Sequence, residues 1–379
     1  MTATDRLRDL LQDKYADRIA EWERAGAFPD DVASGLADTG VLGAMVPAEH
    51  GGTAWSHRAY GEANRLVAQH SCGLQSLLTV HGMVTSALNR SGSVPMRAEL
   101  AELAAAGTVA AFALTEAAAG SDVRALRAAA EPAPDGWRLT GTKRWVSFGQ
   151  IAGLFLVFAN TPDGDAAFAV RRDDPGVRIT PEAVTAGFRA SRLAILDLDG
   201  CEVGPERLVG RPGFGLTQVG GRALVLGRMC VAFGSVGLAE TALNAALARL
   251  DQPGPTGRRL RDHQLLRGLV ADAVVAARGA RLLAESAADA LDARAEWAVS
   301  ETLAAKLAAS RAATVAAGVS AQIHGAEGLV EDGPVHRRVC DARVMEVIEG
   351  NTQLVQDLLA DQVLARWRAE SRPGDRRSR

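Results

Sequence analysis

Two short stretches decide the fold. The first, Phe112–Asp122, contains FALTE over Phe112–Glu116 and AGSD over Ala119–Asp122. About two dozen residues after the first, Lys143–Ser147 reads KRWVS. Each pattern predicts a strand that ends in small, hydroxyl or aromatic residues. Such ends can present backbone N–H groups and an indole face to a flat heterocycle, and fixed donors stabilise the negative charge of reduced flavin. The segments therefore predict a flavin site, although small residues at strand ends are also common in ordinary turns.

A second informative segment, Val347–Leu354, reads VIEGNTQL. Apolar residues precede Glu349, Gly350 permits a tight turn, and a helix is predicted to begin at Asn351 or Thr352, both good N-caps. A carboxylate in an apolar frame has a raised pKa and is a stronger base than in water. The local sequence also allows Glu349 to be an exposed residue that the helix dipole stabilises.

Together these segments resemble the acyl-CoA dehydrogenase family, and the resemblance covers nearly the whole chain. Residues 112–122 match the first family signature, and Lys143–Gly149 is similar to the strand Lys-x-Trp-Ile-Thr-Asn-Gly. Gln322–Gly328 is similar to the turn Gln-x-x-Gly-Gly-x-Gly, and Asp341–Gly350 to the segment with the catalytic glutamate. The chain looks most similar to members that build hydroxymalonyl or methoxymalonyl extender units on an acyl carrier protein for polyketide biosynthesis.

The resemblance implies an α+β fold, and hydrophobic periodicity agrees with its order of helices, strands and helices. The expected parts are an N-terminal α-helical domain over 1–108, a middle antiparallel β domain for flavin and substrate over 109–212, a C-terminal four-helix bundle over 213–366, and a tail over 367–379. The tail is polar and ends in arginine, so it is predicted to be disordered.

The resemblance also implies the roles of individual residues. Glu349 is expected to be the catalytic base, with Arg228 and Gly350 beside the substrate. Trp145 is expected to flank the isoalloxazine ring, and Ser147 to donate to flavin N5. A core tryptophan and a surface ion pair are the alternatives for Trp145 and Arg228. The residues expected to bind FAD are Phe112, Leu114, Thr115, Gly120, Ser121, Trp145, Val146, Ser147, Gln322, Gly325, Asn351 and Gln353.

The chain departs from the family pattern at several positions. The family's Arg-x-x-Phe-Gly is missing before Gly257, where the chain reads PGPTG over Pro253–Gly257. Arg258 or Arg259 is a candidate to replace the missing intersubunit arginine. Gln322 and Gly325 match positions that reach the FAD of a neighbouring subunit, which implies a homodimer or a homotetramer.

Composition excludes several classes of function. A net charge of −3 with scattered signs and an aromatic content of 4% predict no nucleic-acid partner. No apolar run is expected to reach the roughly eighteen residues of a membrane helix. The four cysteines are dispersed without metal-ligand spacing, and the first residues have no apolar signal core. The sequence therefore predicts a cytoplasmic protein without a bound metal and without a membrane partner.

These observations predict an FAD-dependent dehydrogenase that oxidises a short, hydroxylated acyl thioester on an acyl carrier protein or CoA. Proton abstraction by Glu349 accompanies hydride transfer to flavin N5, and the electron acceptor stays open. The polar segment from His70 through His81 to Thr85 favours a polar acyl group, although these can be ordinary polar positions of an amphipathic helix. The alternatives are an ordinary short-chain acyl-CoA dehydrogenase, a flavin monooxygenase or nitroalkane-type oxidase on the same fold, and a non-catalytic relative that binds a carrier protein.

Overall fold

The computed structural model describes residues 2–105, 107–120, 122–253 and 257–371. Helices dominate the first hundred residues, and three of them begin at serine caps: the hydroxyl oxygens of Ser56, Ser71 and Ser93 accept hydrogen bonds from the backbone N–H groups of Ala59, Leu74 and Met96. The N-terminal helices are α1 (Ala3–Asp9), α2 (Ile19–Ala25), α3 (Val32–Thr39), α4 (His57–His70), α5 (Cys72–Ser91), α6 (Val94–Ala98) and α7 (Leu100–Ala105).

One sheet fills the middle of the chain. Its strands are β1 (Ala110–Ala113), β2 (Ala129–Ala133), β3 (Gly136–Val146), β4 (Leu154–Thr161), β5 (Gly164–Arg171), β6 (Val177–Pro181), β7 (Ala194–Val203) and β8 (Leu208–Val209). The strand order is β6-β7-β3-β2-β4-β5-β8, and β1 pairs with β4. β4 is buried from Leu154 to Ala159, as its continuous apolar run requires.

The sheet corrects one expectation about the middle domain. Most pairings are antiparallel, but β1 pairs with β4 in parallel from Ala110 opposite Leu154 to Ala113 opposite Val157, and Ala129 of β2 pairs with β4 in the same sense. Parallel neighbours need a long crossover, and the chain between β1 and β4 supplies one that contains β2 and β3. The α+β fold is confirmed, and its sheet is mixed instead of purely antiparallel.

Long helices complete the fold. They are α8 (Gly221–Leu250), α9 (Gln264–Asp292), α10 (Ala298–His324), α11 (Pro334–Val347) and α12 (Thr352–Glu370). The segment Gly215–Leu250 is long and apolar enough by composition to cross a membrane, so the expectation that no run approaches that length is wrong. Its most apolar window is 83% buried inside the protein, as expected for a helix surrounded by other helices.

The C-terminal boundary also differs from the expected one. The tail predicted to begin at residue 367 is helical through Glu370, where the Glu370 carboxylate accepts a hydrogen bond from Arg366 one turn earlier. Residues 372–379 lie outside the described part of the chain, so the predicted disorder there stays a prediction.

Two buried carboxylates join the three parts of the fold near the middle of α11. The N–H of Phe188, in the loop between β6 and β7, donates to Asp341 of α11 over 2.8 Å, and the N–H of Ala190 donates to Glu23 of α2 over 3.1 Å. Burial, reinforced by the charge of Glu23, raises the pKa of Asp341 to about 7. This junction fixes α11, the helix that leads to Glu349.

Candidate functional site

The ends of β1 and β3 meet at one hydrogen bond. Just after β1, the carbonyl of Thr115 accepts the N–H of Arg144 over 2.8 Å. Thr115 and Ser147 are both half-buried, so their hydroxyls lie near the surface at adjoining strand ends. The two sequence segments predicted to share one site therefore do lie together.

A buried ion pair lies under this junction. Lys143 is fully buried, and its Nζ donates to Glu116 Oε1 over 2.6 Å and to the carbonyl of Leu114 over 3.4 Å. Burial lowers the pKa of Lys143 to about 8. Burial also acts to raise the pKa of Glu116, but hydrogen bonds from Lys143 and from the N–H groups of Arg127 and Ala128 lower it overall. The pair is charged at neutral pH and ties β3 to the chain after β1.

Trp145 presents its ring outward from this junction. The side chain is 44% exposed, and the residue has the left-handed φ of 57°, which sequence reasoning did not predict. The register between β3 and β7 shifts between Lys143 and Val146, and such a bulge accommodates the unusual backbone. The guanidinium of Arg144, which pairs with Glu182, lies 5.2 Å from the Trp145 ring centroid. The alternative of a core tryptophan is therefore excluded.

Other residues predicted to bind the cofactor lie deeper in the protein. Leu114 and Val146 are buried in the hydrophobic core, and the Phe112 ring packs 5.1 Å from the ring of Phe158. Such buried side chains can pack beneath a ligand site, and only their backbone groups can contact the ligand directly. Gly120 is exposed, and Ser121 lies outside the described residues.

Glu349 lies on a tight turn between α11 and α12. Its φ is 54° and that of Gly350 is 98°, so two consecutive residues are left-handed, and glutamate adopts this conformation rarely. Asn351 then caps α12 by accepting the N–H of Leu354 over 2.9 Å. The predicted turn and helix start are confirmed. The contact made by the Asn351 side chain is structural, and a cofactor contact stays a prediction.

The carboxyl group of Glu349 points into the interior between α5 and α8. A Cβ atom placed on Gly227 would lie 2.9 Å from Glu349 Oε2 and 2.6 Å from Met83 Sδ, so the glycine leaves the space that the carboxylate occupies. Burial raises the pKa of Glu349 to about 7, while the charges of Arg228 and Lys306 act against this rise. Within the described residues, no group donates a hydrogen bond to this carboxylate.

Two buried cations hold the backbone of this turn. Arg228 Nε donates to the carbonyl of Glu349 over 3.0 Å, so Arg228 is not in a surface ion pair. Lys306, which the sequence analysis did not single out, donates through Nζ to the carbonyls of Gly350 over 2.6 Å and Glu346 over 3.1 Å. The only sequence signal for Lys306 is that the chain contains just three lysines.

Helix α5 connects the two halves of the site. Met83 lies beside the Glu349 carboxylate, and His81 Nδ1 accepts the N–H of Ala110 at the start of β1 over 3.3 Å. His81 Nε2 contacts the carbonyl of Leu42 over 3.2 Å, and burial lowers the pKa of His81 to about 4. This histidine is therefore neutral and structural.

Several other polar side chains of α5 make hydrogen bonds within the interior. Gln75 donates to Asn64 and Thr79, and Thr85 donates to the carbonyl of His81. Thr79, His81 and Thr85 therefore make hydrogen bonds within the interior, and a polar lining of the acyl pocket by this segment stays a prediction.

The remaining predicted residues lie on the surface, away from this interior. Gln322 and Gly325 are exposed at the end of α10, and Gln353 is exposed in the first turn of α12. Of the candidates to replace the missing intersubunit arginine, Arg259 pairs with Asp251 over 2.9 Å, while residues 254–256 lie outside the described part of the chain.

Comparison with known proteins agrees over the whole length. The sequence matches the acyl-CoA dehydrogenase N-terminal domain over residues 2–108, the middle domain over 111–201 and the C-terminal domain over 213–364. The mitochondrial short-chain specific acyl-CoA dehydrogenase of Mus musculus is 28% identical over 369 residues, which cover 96% of this chain and 89% of the relative.

Two solved structures show the same fold. FkbI, for biosynthesis of the methoxymalonyl extender unit of the Fk520 polyketide, is 34% identical with a TM-score of 0.87, over 94% of this chain and 99% of that one. Butyryl-CoA dehydrogenase from Megasphaera elsdenii is 25% identical with a TM-score of 0.91, over 96% of this chain and 97% of that one.

The fold and the two halves of the site define a flavoprotein oxidoreductase. The chain belongs to the acyl-CoA dehydrogenase family. It is an FAD-dependent enzyme that carries out acyl-CoA dehydrogenase-type oxidation of thioesters.

Proposed function

We propose that this enzyme dehydrogenates a short acyl group carried on phosphopantetheine, with Glu349 as the proton acceptor. The observation that carries the proposal is the Glu349 carboxylate: it is turned inward, has a pKa of about 7, and is hydrogen-bonded to none of the described residues. A carboxylate tied into a salt bridge would be a weaker base. A base tuned near neutral pH is suited to general base catalysis.

The residues around the strand junction fit FAD. The exposed Trp145 ring offers a flat apolar face, Thr115 and Ser147 supply hydroxyls beside it, and a Cβ on Gly120 would meet no atom within 4 Å. We propose that these residues hold the isoalloxazine end and that Gln353 lies towards the adenosine. FAD, when bound, supplies the acceptor for the hydride.

In this proposal two groups of Glu349 act on the substrate. Glu349 Oε2 takes a proton from the acyl group, and the N–H of Glu349 faces the thioester carbonyl, which stabilises the developing enolate. If the oxidised carbon bears a hydroxyl group, Glu349 takes the O–H proton instead. In either case the substrate loses one proton to Glu349 and one hydride to the cofactor. Arg228 holds the Glu349 carbonyl, so the base and the N–H donor keep a fixed separation.

For the acyl group, we propose a small hydroxylated unit, such as a three-carbon acyl chain, on an acyl carrier protein. The support is the 34% identity to FkbI, which serves methoxymalonyl extender-unit biosynthesis, across 94% of this chain. The second candidate is an ordinary short-chain acyl-CoA substrate, favoured by the 28% identity to the short-chain dehydrogenase.

Anaerobic flavin reduction separates the two substrates. We expect a hydroxylated three-carbon acyl-carrier protein to bleach the oxidised flavin faster than butyryl-CoA or octanoyl-CoA. A site that binds a hydroxyl rejects its alkyl analogue strongly, whereas an apolar pocket distinguishes one methylene by about 1–3 kcal/mol. The same acyl group on CoA is the matched control for the carrier. Faster reduction by butyryl-CoA or octanoyl-CoA would instead favour the second candidate, an ordinary short-chain acyl-CoA substrate.

We also propose that the enzyme is a homodimer or homotetramer, built through the bundle formed by residues 213–366. Large apolar side chains are exposed on two of its helices: Leu265, Val275 and Leu282 on α9, and Val363 and Trp367 on α12. Such a surface is typical of a region that another subunit covers. Gln322 and Gly325 are exposed on the same bundle, where they could reach the FAD of a neighbour.

Gly227→Ala should reduce turnover without unfolding the protein. The new Cβ would lie 2.9 Å from Glu349 Oε2, so the carboxylate has to move, and misplacement by about 1 Å can cost about 10²-fold. Single-turnover flavin reduction measures the loss. Gly279→Ala is the control, because its Cβ meets no atom within 4 Å on another bundle helix. Equal rates for the two variants would mean that Gly227 does not define the position of the base.

A further inference from the structure

Lys306 lies at a buried position, where a charged side chain costs free energy. It lies in the first third of α10, is fully buried, and is one of only three lysines in the chain. Its ammonium group donates two hydrogen bonds, both to carbonyl oxygens and neither to a carboxylate: Nζ contacts the carbonyls of Gly350 at 2.6 Å and Glu346 at 3.1 Å. Burial lowers the pKa of Lys306 to about 8, so most molecules keep the charge at neutral pH.

Both carbonyls belong to the turn that carries Glu349. Glu346 lies in the last turn of α11, where carbonyls lack intrahelical partners and the helix dipole is negative. The left-handed backbone of Glu349 is strained for a residue with a side chain, and such a conformation persists only where its surroundings enforce it. Lys306 from α10 and Arg228 from α8 both donate hydrogen bonds to the backbone carbonyls of this turn.

The charged and titratable groups that face Glu349 come from three helices. Arg228 and Cys230 lie on α8, Lys306 on α10, and Glu346 on α11. The Glu346 carboxylate is already paired with Arg343 and accepts the hydroxyl of Thr314. Burial raises the pKa of the Cys230 thiol well above neutral pH, so the thiol is uncharged. The two cations are therefore the groups that stabilise an ionised Glu349.

We propose that Lys306 is a positioning residue for Glu349, one that holds the left-handed turn through the Gly350 and Glu346 carbonyls and favours the ionised carboxylate by its charge. The inference rests on the proposed function, in which Glu349 accepts the proton. Lys306 donates its hydrogen bonds to the backbone and acts on the Glu349 carboxylate only through its charge. The carboxylate oxygens are therefore available to the substrate.

The first test needs no substrate. The thermal midpoint of the holoenzyme is compared with that of Glu349→Gln across pH. Because the folded pKa of Glu349 is about 7 and its ordinary value is 4.5, the folded form binds more protons between these values. The stability of the parent relative to Glu349→Gln should therefore fall as pH rises from about 4.5 to about 7, then level off. When both proteins also carry Lys306→Met, the loss of the positive charge should raise the pKa of Glu349. The fall in relative stability should then continue over about one further pH unit.

The second test separates position from charge. Lys306→Gln keeps an N–H donor without the charge, and Lys306→Met removes both. Each should shift the pH midpoint of flavin reduction upward by about one unit, and Lys306→Met should also lower the plateau rate by about tenfold or more. Ser310→Ala is the control, since Ser310 is buried one turn away on α10 and donates only within that helix.

Unchanged pH midpoints in both tests would overturn the role of Lys306, even if the thioester reduces the flavin normally. Failure of the wild type to be reduced by any thioester would overturn the proposed function instead, while the stability test would still report on Lys306. A Lys306→Met variant that loses plateau rate and stability equally with Ser310→Ala would make Lys306 a general packing residue.

Discussion

Glu349→Gln should abolish most flavin reduction by substrate while the protein keeps its fold and its FAD. The amide has nearly the same shape as the carboxylate but cannot accept the proton, and loss of a general base costs about 10²–10⁴-fold. Single-turnover reduction is the measurement to use, because slow reoxidation by the electron acceptor would hide the step in steady state.

Glu346→Gln is the matched control for this variant. Glu346 is a carboxylate only three residues earlier, and its side chain, which is half-buried, contacts Arg343 and Thr314. Its backbone carbonyl, which Lys306 holds, is unaffected by the change. We expect reduction at nearly the wild-type rate. A Glu349→Gln enzyme as active as Glu346→Gln would move the base to another residue.

Lys143→Met should lower the free energy of unfolding by about 3 kcal/mol or more and weaken the retention of FAD. Removing one partner of a buried ion pair leaves the other charge uncompensated, at a cost of about 3–5 kcal/mol. Glu116 keeps two backbone donors, which places the expected loss near the lower end. The pair supports the carbonyl of Leu114 beside Thr115, so the proposed flavin contacts should loosen as well.

Arg138→Met provides the comparison on the same strand. Arg138 of β3 pairs across the sheet with Glu202 of β7, but both side chains are more than half exposed. Exposed pairs contribute about 0–1 kcal/mol, so the urea midpoint and the FAD dissociation constant should barely change. The double variant Lys143→Met/Glu116→Gln should recover part of the lost stability. Equal midpoints for Lys143→Met and Arg138→Met would contradict the structural role of the buried pair.

The local features of the site could be predicted from the sequence because short-range rules determine them. Gly350 and the cap at Asn351 follow from turn and capping chemistry, and the structure confirms them. Strand β3 begins at Gly136, directly after Asp135, and an Asp-Gly pair is typical of the turn before a strand. The order of helices and strands likewise follows from the change of hydrophobic period along the chain.

What could not be predicted depends on contacts between distant segments. Lys306 lies 43 residues before Glu349, and no local pattern says that its ammonium group meets the carbonyl of Gly350. The space at Gly227 becomes meaningful only when α8 packs beside Met83. The contact of His81 could not be predicted for the same reason, since a polar residue on a buried helix can face the pocket or satisfy a neighbour, as it does here with Ala110.

The pH dependence of flavin reduction tests the central claim, that an inward-turned Glu349 is the proton acceptor. The second-order rate constant for reduction by the acyl thioester reports the free enzyme, in which burial raises the pKa of Glu349 to about 7. Because the base must be ionised, the rate constant should rise about tenfold per pH unit below this value and level off above it. A rate constant that stays flat from about pH 5.5 to about pH 8.5, or falls across that range, would contradict the account.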